Sequence, residues 1–257
     1  MAGRADILMY HSISDAGGPT SVAPDVFAAQ MEALAASGLP VLAMDALPLH
    51  LASGQGRAVA ITFDDGFADF AETAWPLICR HGFPAMVYLP ADRMGGVEDW
   101  AGVRPPPRRL MDWDTVRRLA AEGVDFGNHT ASHADLARLT PAEAAAELDR
   151  ASARIEAELG LAPRHFAPPY GSTTAETRAL IAARFDSSVG TRLGAARLAS
   201  DHFDLPRLEM YYYTDLRHWR ARLTGRGGTY MALRRAARRL RQLASGGIGA
   251  AAVRTAR

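Results

Sequence analysis

The sequence predicts an α/β fold, a single distorted or incomplete (β/α) barrel with seven or eight strands and a basic C-terminal helical tail. Three observations carry that expectation. Short apolar, β-rich runs alternate with helix-period patterns, which points to parallel strands joined by crossover helices. Polar residues able to do chemistry fall just past the C-terminal ends of several different runs, the arrangement by which barrel enzymes gather a site on one face. The stretch YHSISDAGG, after the first run, supplies neither the glycine fingerprint nor the later acid that a dinucleotide-binding sheet needs.

In chain order, strands are expected at 7–13 (ILMYHSI), 40–44 (PVLAM), 58–63 (AVAITF), 85–89 (AMVYL), 124–128 (VDFGN), 165–168 (HFAP), 187–191 (SSVGT) and 205–210 (LPRLEM). Between them, Pro24 to Ser37 places Val26, Phe27, Met31 and Leu34 on one helical face, and Phe67 to His81 and Asp112 to Glu122 behave similarly. The clearest helix start is TPAE. Thr140 caps, Pro141 occupies the first turn and Glu143 completes a capping box, with the helix ending near Gly160.

Composition excludes several kinds of chemistry. At 257 residues and 48% hydrophobic, the chain can bury a full core. Cys79 is the only cysteine, so neither an intrachain disulfide nor a Cys-rich zinc site is available. All 29 basic residues are Arg, which removes Schiff-base lysines and P-loop phosphate clamps. The N-terminus shows no basic region followed by an apolar segment and a cleavage site, and no run reaches membrane-spanning length, so a cytoplasmic location is expected. Charge is split: residues 1–215 carry 18 Arg against 28 acids, and 216–257 carry 11 Arg and no acid.

The chemistry-bearing residues are His11 after the first run, Asp64 and Asp65 after the third, His129 and His133 after the fifth, and Tyr170 after the sixth. His129 and His133 lie four apart, on one side of a helical turn or within reach across a short loop. Two imidazoles with one carboxylate from a neighbouring strand end leave metal positions open for water and substrate. One of the two aspartates then belongs to the metal. The other, close to the same water, is placed to act as general base.

TFDDG, HTASH and FAPPYG, in that order, resemble the polysaccharide deacetylases of the NodB-homology class, metal-dependent enzymes that remove acetyl groups from N-acetylated sugars. The similarity spans roughly residues 6–210, within a domain expected to cover 1–224, with 225–257 as an Arg-rich tail. It implies a distorted, incomplete (β/α) barrel. On this pattern Asp64 is the general base and Asp65, His129 and His133 hold a divalent metal, Zn2+ foremost. Pro168, Pro169, Tyr170 and Gly171 form the groove wall, with the Tyr170 backbone N–H facing the oxyanion. The implied substrate is an N-acetylated glycan or lipid-linked sugar. The alternatives are a small non-sugar amide or a noncatalytic glycan-binding role.

The chain departs from the commonest family pattern at two points. Ala167 stands where many members have an arginine, and Arg207 in LPRLEM either replaces it or pairs with a surface acid. The late Leu-x-His of many members is matched only by Leu216-Arg217-His218, inside a helical pattern, so His11 is the preferred general acid. The long segment 91–110 reads as a lid, in which Trp100 either stacks on a sugar or packs the loop. In the tail, Leu233, Ala236, Ala237, Leu240 and Leu243 recur at helical spacing among Arg234, Arg235, Arg238, Arg239 and Arg241. Such a helix could meet an anionic membrane surface or dock on the acidic body, and nothing in the body supports a nucleic-acid recognition module.

Overall fold

The computed structural model describes residues 3–100, 102–103, 106–238 and 240. Seven strands pair in parallel in sequence order: β1 (Arg4–Tyr10), β2 (Arg57–Phe63), β3 (Met86–Leu89), β4 (Asp125–Asn128), β5 (His165–Phe166), β6 (Ser187–Leu193) and β7 (Leu205–Glu209). The last pairs back onto the first, with Ile7 opposite Arg207 and Met9 opposite Glu209, which closes the barrel. Pairing around the ring is uneven. Seven residue pairs join β1 to β2, from Arg4↔Arg57 to Tyr10↔Phe63, whereas β4 meets β5 only at Asn128↔Phe166, and the β6–β7 register slips between Leu205 and Arg207.

The run at 40–44 does not form a barrel strand. Val41 makes one parallel bridge to Val59, and the chain then turns into the 3-10 turn Met44–Ala46 and helix α2 after the first helix, Leu47–Ser53. Pro40 has no N–H to give a ladder, and Pro48 near the helix start favours helix instead. The apolar residues of this region, Leu42, Met44, Leu47 and Leu51, pack with Ala5, Ile7 and Ala58 as a plug. Residues Ser12–Ile13 likewise leave the first run to pair with Ser21–Val22 in a separate small sheet.

Strand alternation decides what faces inward. Ala5, Ile7, Ala58, Ala60, Met86, Tyr88, Val189 and Leu205 form one buried cluster, and Leu8, Tyr10, Val59, Ile61, Phe63 and Val87 belong to another beneath the helices. Small alanines line the narrow ring, leaving room for Arg207, which is 1% exposed. Continuing the β2 alternation past Ala60 brings Thr62 and then Asp64 to the same side.

Outside the barrel, α1 (Pro24–Ala36) buries Phe27, Gln30, Met31 and Leu34. Phe27 meets Tyr10 edge-on with ring centres 5.1 Å apart, a contact worth about 1 kcal/mol beyond area burial. Gln30 accepts from Tyr10 Oη (2.8 Å) and donates to the Tyr213 carbonyl (2.9 Å), while its own carbonyl accepts from Trp219 Nε1 (2.9 Å). This network seats α7 (Leu216–Leu223) beside α1 and so helps close the ring. The remaining helices are α3 (Trp75–Arg80), α4 (Trp113–Ala121), α5 (Pro141–Leu159) and α6 (Ala175–Ala182). In α5 the capping box of Thr140 and Glu143 is formed, and Gly160 ends the helix in the left-handed conformation.

Residues 228–238 form one more helix. Met231 is buried, Tyr230 Oη donates to the Tyr212 carbonyl, and Arg235 Nε donates to the Leu193 carbonyl at 2.7 Å. Leu233 and Leu240 are 64% and 67% exposed, so the helix rests on the body through other residues and turns these leucines outward. Arg239, Arg241 and Leu243 lie outside the described residues. Among the described residues no helix is long and apolar enough to cross a membrane.

Candidate active site

The C-terminal ends of the barrel strands surround a cavity of about 600 Å³ lined by His11, Asp64, Asp65, Trp100, His129, His133, Pro168, Tyr170 and Glu209, among others. Sequence-distant residues meet here because parallel strands all deliver their C-terminal loops to one face.

Asp64 and Asp65 end β2 in different conformations. Asp64 continues the inward alternation, and Asp65 turns over with φ 73°, a left-handed conformation that aspartate tolerates better than most residues. Gly66 follows at φ 67°, where a Cβ would stand 2.9 Å from Leu89 Cδ2. Adjacent in sequence, the two carboxylates therefore point to different partners. The turn is tied to the loop after β1 by Asp69, which accepts from Ser12 Oγ (2.5 Å) and the Ile13 N–H (2.9 Å).

Asp65 Oδ1 lies 3.2 Å from His129 Nε2 and 3.1 Å from His133 Nε2. The histidines sit on an irregular loop after β4 rather than on a helical turn, with Thr130 and His133 at φ 63° and 62°. Two side chains hold that loop. Asn128 Oδ1 accepts from the Thr130 N–H (2.8 Å), and Glu147 of α5 accepts from the N–H groups of Ala131 (3.1 Å) and Ser132 (2.8 Å). His129 Nδ1 donates to the Ala167 carbonyl at 2.6 Å, which leaves Nε2 to offer a lone pair. His133 Nδ1 is buried and has no hydrogen-bond partner among the described residues.

Asp65, His129 and His133 each offer one ligand atom, all within 4.8 Å of one another. Two imidazole nitrogens and a carboxylate oxygen converging in a buried spot form a donor set that fits a divalent metal. The electrostatics agree with that chemistry. Burial acts most strongly on Asp65 and pushes its carboxyl up, but hydrogen bonds from His129 and His133 outweigh it and hold the group well below the ordinary carboxylate range. Burial also holds His133 below the usual imidazole value, which favours the neutral ligand form.

Asp64 is held by Arg207. The Nη1 and Nη2 groups donate to Oδ1 and Oδ2, each at 2.7 Å, while Nε donates to the Gly190 carbonyl at 2.9 Å. Arg207 thus pairs with Asp64, not with a surface acid. Burial pushes the Asp64 carboxyl up, but the Arg207 charge and hydrogen bonds prevail and lower it. His11 Nε2 lies 3.9 Å from Asp64 Oδ2 and lines the cavity. His218 instead stacks on Tyr230, with ring centres 3.8 Å apart, and is absent from the cavity wall.

The third motif forms the turn Pro169–Gly171, with Tyr170 at φ 61° and its ring edge-on to His133 at 4.9 Å. Gly171 has φ 65°, and a Cβ there would fall 2.3 Å from Thr191 Oγ1, so the turn needs glycine. Trp100 stacks on the His133 ring at 4.1 Å, a role in the site wall that neither reading of the lid anticipated. The described part of the 91–110 segment is pinned at Arg108. Arg108 Nε and Nη2 donate to Glu98 at 2.7 and 2.8 Å, and Arg108 Nη1 donates to the Thr20 carbonyl at 3.1 Å.

Glu209 and Glu147 were not singled out from the sequence. Glu209 carried a readable signal, standing two residues beyond Arg207 on the same strand face. Burial pushes its carboxyl up. Glu147, on a helix face, carried none.

Comparison with known proteins agrees with this arrangement. Residues 52–185 match the family described as polysaccharide deacetylase. A chitin deacetylase from Pestalotiopsis sp is 33% identical over 116 residues, covering 45% of this chain and 35% of that protein. A chitooligosaccharide deacetylase from Bradyrhizobium sp. (strain ANU 289) is 32% identical over 125 residues, covering 48% of this chain and 50% of that one. The chain thus spans between about a third and a half of the length of these relatives. The structure of IcaB from Ammonifex degensii superposes with a TM-score of 0.73 at 21% identity, covering 86% of this chain and 98% of the other, a likeness of fold. With just over half its length matched by that family and the three motifs meeting in one cavity, the chain belongs to the polysaccharide deacetylase family.

Proposed function

We propose that this protein is a metal-dependent hydrolase that removes acetyl groups from N-acetylated sugars of a glycan or glycolipid. The observation that carries the reading is the joint geometry of the adjoining aspartates: Asp65 faces His129 and His133, and Asp64 is clamped beside them by Arg207. The activities for which the relatives are named, chitin and chitooligosaccharide deacetylation, support the substrate class.

Asp65, His129 and His133 are the residues that would hold the metal, and two imidazoles with one carboxylate suit Zn2+. A divalent ion there supplies Lewis acidity, acidifying water and polarising an acetamide carbonyl. Asp64 accepts the proton of the attacking water. Arg207 keeps that carboxylate ionised and fixed in orientation, which lowers its basicity but removes the entropy of positioning it. The backbone N–H of Tyr170 is assigned to the oxyanion that forms as the carbonyl carbon becomes tetrahedral. His11, beside Asp64 at the cavity wall, delivers the proton to the departing amine. Pro168, Tyr170 and Trp100 wall the sugar, whereas Pro169, expected beside them, is buried behind the turn and does not line the cavity.

Acetate release from acetylated chitooligomers, measured together with metal content before and after chelation, tests the reading. Turnover should vanish with the metal and return with Zn2+. Full turnover by metal-free protein, or hydrolysis of small amides with no acetate from any acetylated sugar, would overturn it.

A further inference from the structure

The cavity holds several acids, and most have a visible counter-charge. Asp64 is paired with Arg207, and Glu98 with Arg108. One cation in the wall is not so balanced. Arg238, from the 228–238 helix beyond the family match, lines the cavity half-buried, and the hydrogen bond it makes is Nη1 to the Thr191 carbonyl at 2.7 Å. No carboxylate among the described residues pairs with it.

Its position is defined from both sides. Thr191 is the residue whose side chain fills the hollow over Gly171, so Arg238 borders the turn that carries Tyr170. The same helix is fastened one turn earlier by Arg235 on Leu193 and farther back by buried Met231. A half-buried guanidinium held by one of its nitrogens keeps planar donors for an anion, the chemistry in which arginine excels. A neutral acetylated sugar can accept hydrogen bonds from it but leaves its charge unbalanced, whereas an anionic group meets both.

We infer that Arg238 forms a subsite for an anionic group carried by the substrate, a carboxylate or a phosphate on or next to the acetylated sugar. The inference rests on the reading of this cavity as a glycan site. The C-terminal helix is then a specificity element: it selects charged glycans, while the strand-end residues do the hydrolysis.

Equilibrium binding to the full chain with three probes tests this: diacetylchitobiose, N-acetylglucosamine 1-phosphate, and a disaccharide of glucuronate and N-acetylglucosamine. At least one anionic sugar should bind about tenfold more tightly than the neutral one, the two arms telling phosphate from carboxylate. Arg238→Gln should erase that preference and leave the neutral sugar's affinity unchanged. Arg238→Lys should restore part of it, and raising salt from about 0.05 to about 0.5 M should weaken only the anionic probes. Equal affinity for all three probes in the unaltered protein, or parallel weakening of all three by Arg238→Gln with a lowered Tm, would overturn the inference. Acetate release from any acetylated probe by the unaltered protein keeps the hydrolase reading intact in either case. Its absence in the unaltered protein is the failure of that reading instead.

Discussion

Arg207 grips both oxygens of Asp64 through two parallel 2.7 Å hydrogen bonds across the barrel interior, although the two residues are 143 positions apart. The family's usual arginine position is occupied by Ala167, whose carbonyl here orients His129. The guanidinium on Asp64 comes from β7.

Replacing that fork by an ammonium removes the bidentate geometry but keeps the charge. Arg207→Lys should lower kcat about tenfold to a hundredfold with metal content unchanged, because Asp64 loses its fixed orientation. Arg207→Leu strands a buried carboxylate and should cost about 3–5 kcal/mol of stability. Steady-state kinetics and denaturant melts measure the two; an Arg207→Lys enzyme with unaltered kcat contradicts the positioning role.

The adjoining aspartates should separate cleanly. Asp64→Asn keeps the metal and loses about a hundredfold to ten-thousandfold in kcat. His133→Ala loses metal and turnover together, since one of three ligand atoms is gone. Metal analysis of the two purified variants decides it, and equal metal loss in both would refute the division of labour.

His11 and His218 compete for the acid role by sequence, and the cavity separates them. His11→Ala should depress kcat about a hundredfold with metal retained, whereas His218→Ala, on a helix stacked against Tyr230, should change kcat less than about twofold. The reverse pattern would transfer the role to His218.

Gly171→Ala places a methyl against Thr191 in a left-handed turn. The substitution should cost about 1–3 kcal/mol and raise KM, because the displaced turn carries Tyr170. A thermal melt and a substrate titration test both halves. A Tm and KM equal to those of the unaltered chain would show that the turn tolerates a side chain.

Far from the chemistry, Asp6 of β1 accepts from Arg222 of α7, with both groups buried at 3% and 6% exposure. Asp6→Ala should destabilise the protein by about 3–5 kcal/mol while leaving KM at low temperature unchanged. Melts and kinetics on the same preparation check it; a small stability change would mean that Arg222 finds another partner.

Some of this architecture was readable along the chain because short-range physics enforces it. The two-residue period of AVAITFD places Ala58, Ala60, Thr62 and Asp64 on one side whatever else the chain does, and the TPAE box with Gly160 bounds α5 through its own hydrogen bonds. The motif order TFDDG, HTASH, FAPPYG likewise pointed to strand ends that meet. PVLAM was misread because an apolar run does not say whether it pairs as a strand or plugs the barrel, and Pro40 and Pro48 settle that in favour of the plug. The pairing of Arg207 with Asp64, the anchoring of the histidine loop by Glu147 and the entry of Arg238 into the cavity follow no local period. The first depends on ring closure, which through the register of β7 on β1 brings Arg207 beside the end of β2; the second depends on how α5 packs against the loop after β4, and the third on how the 228–238 helix meets β6.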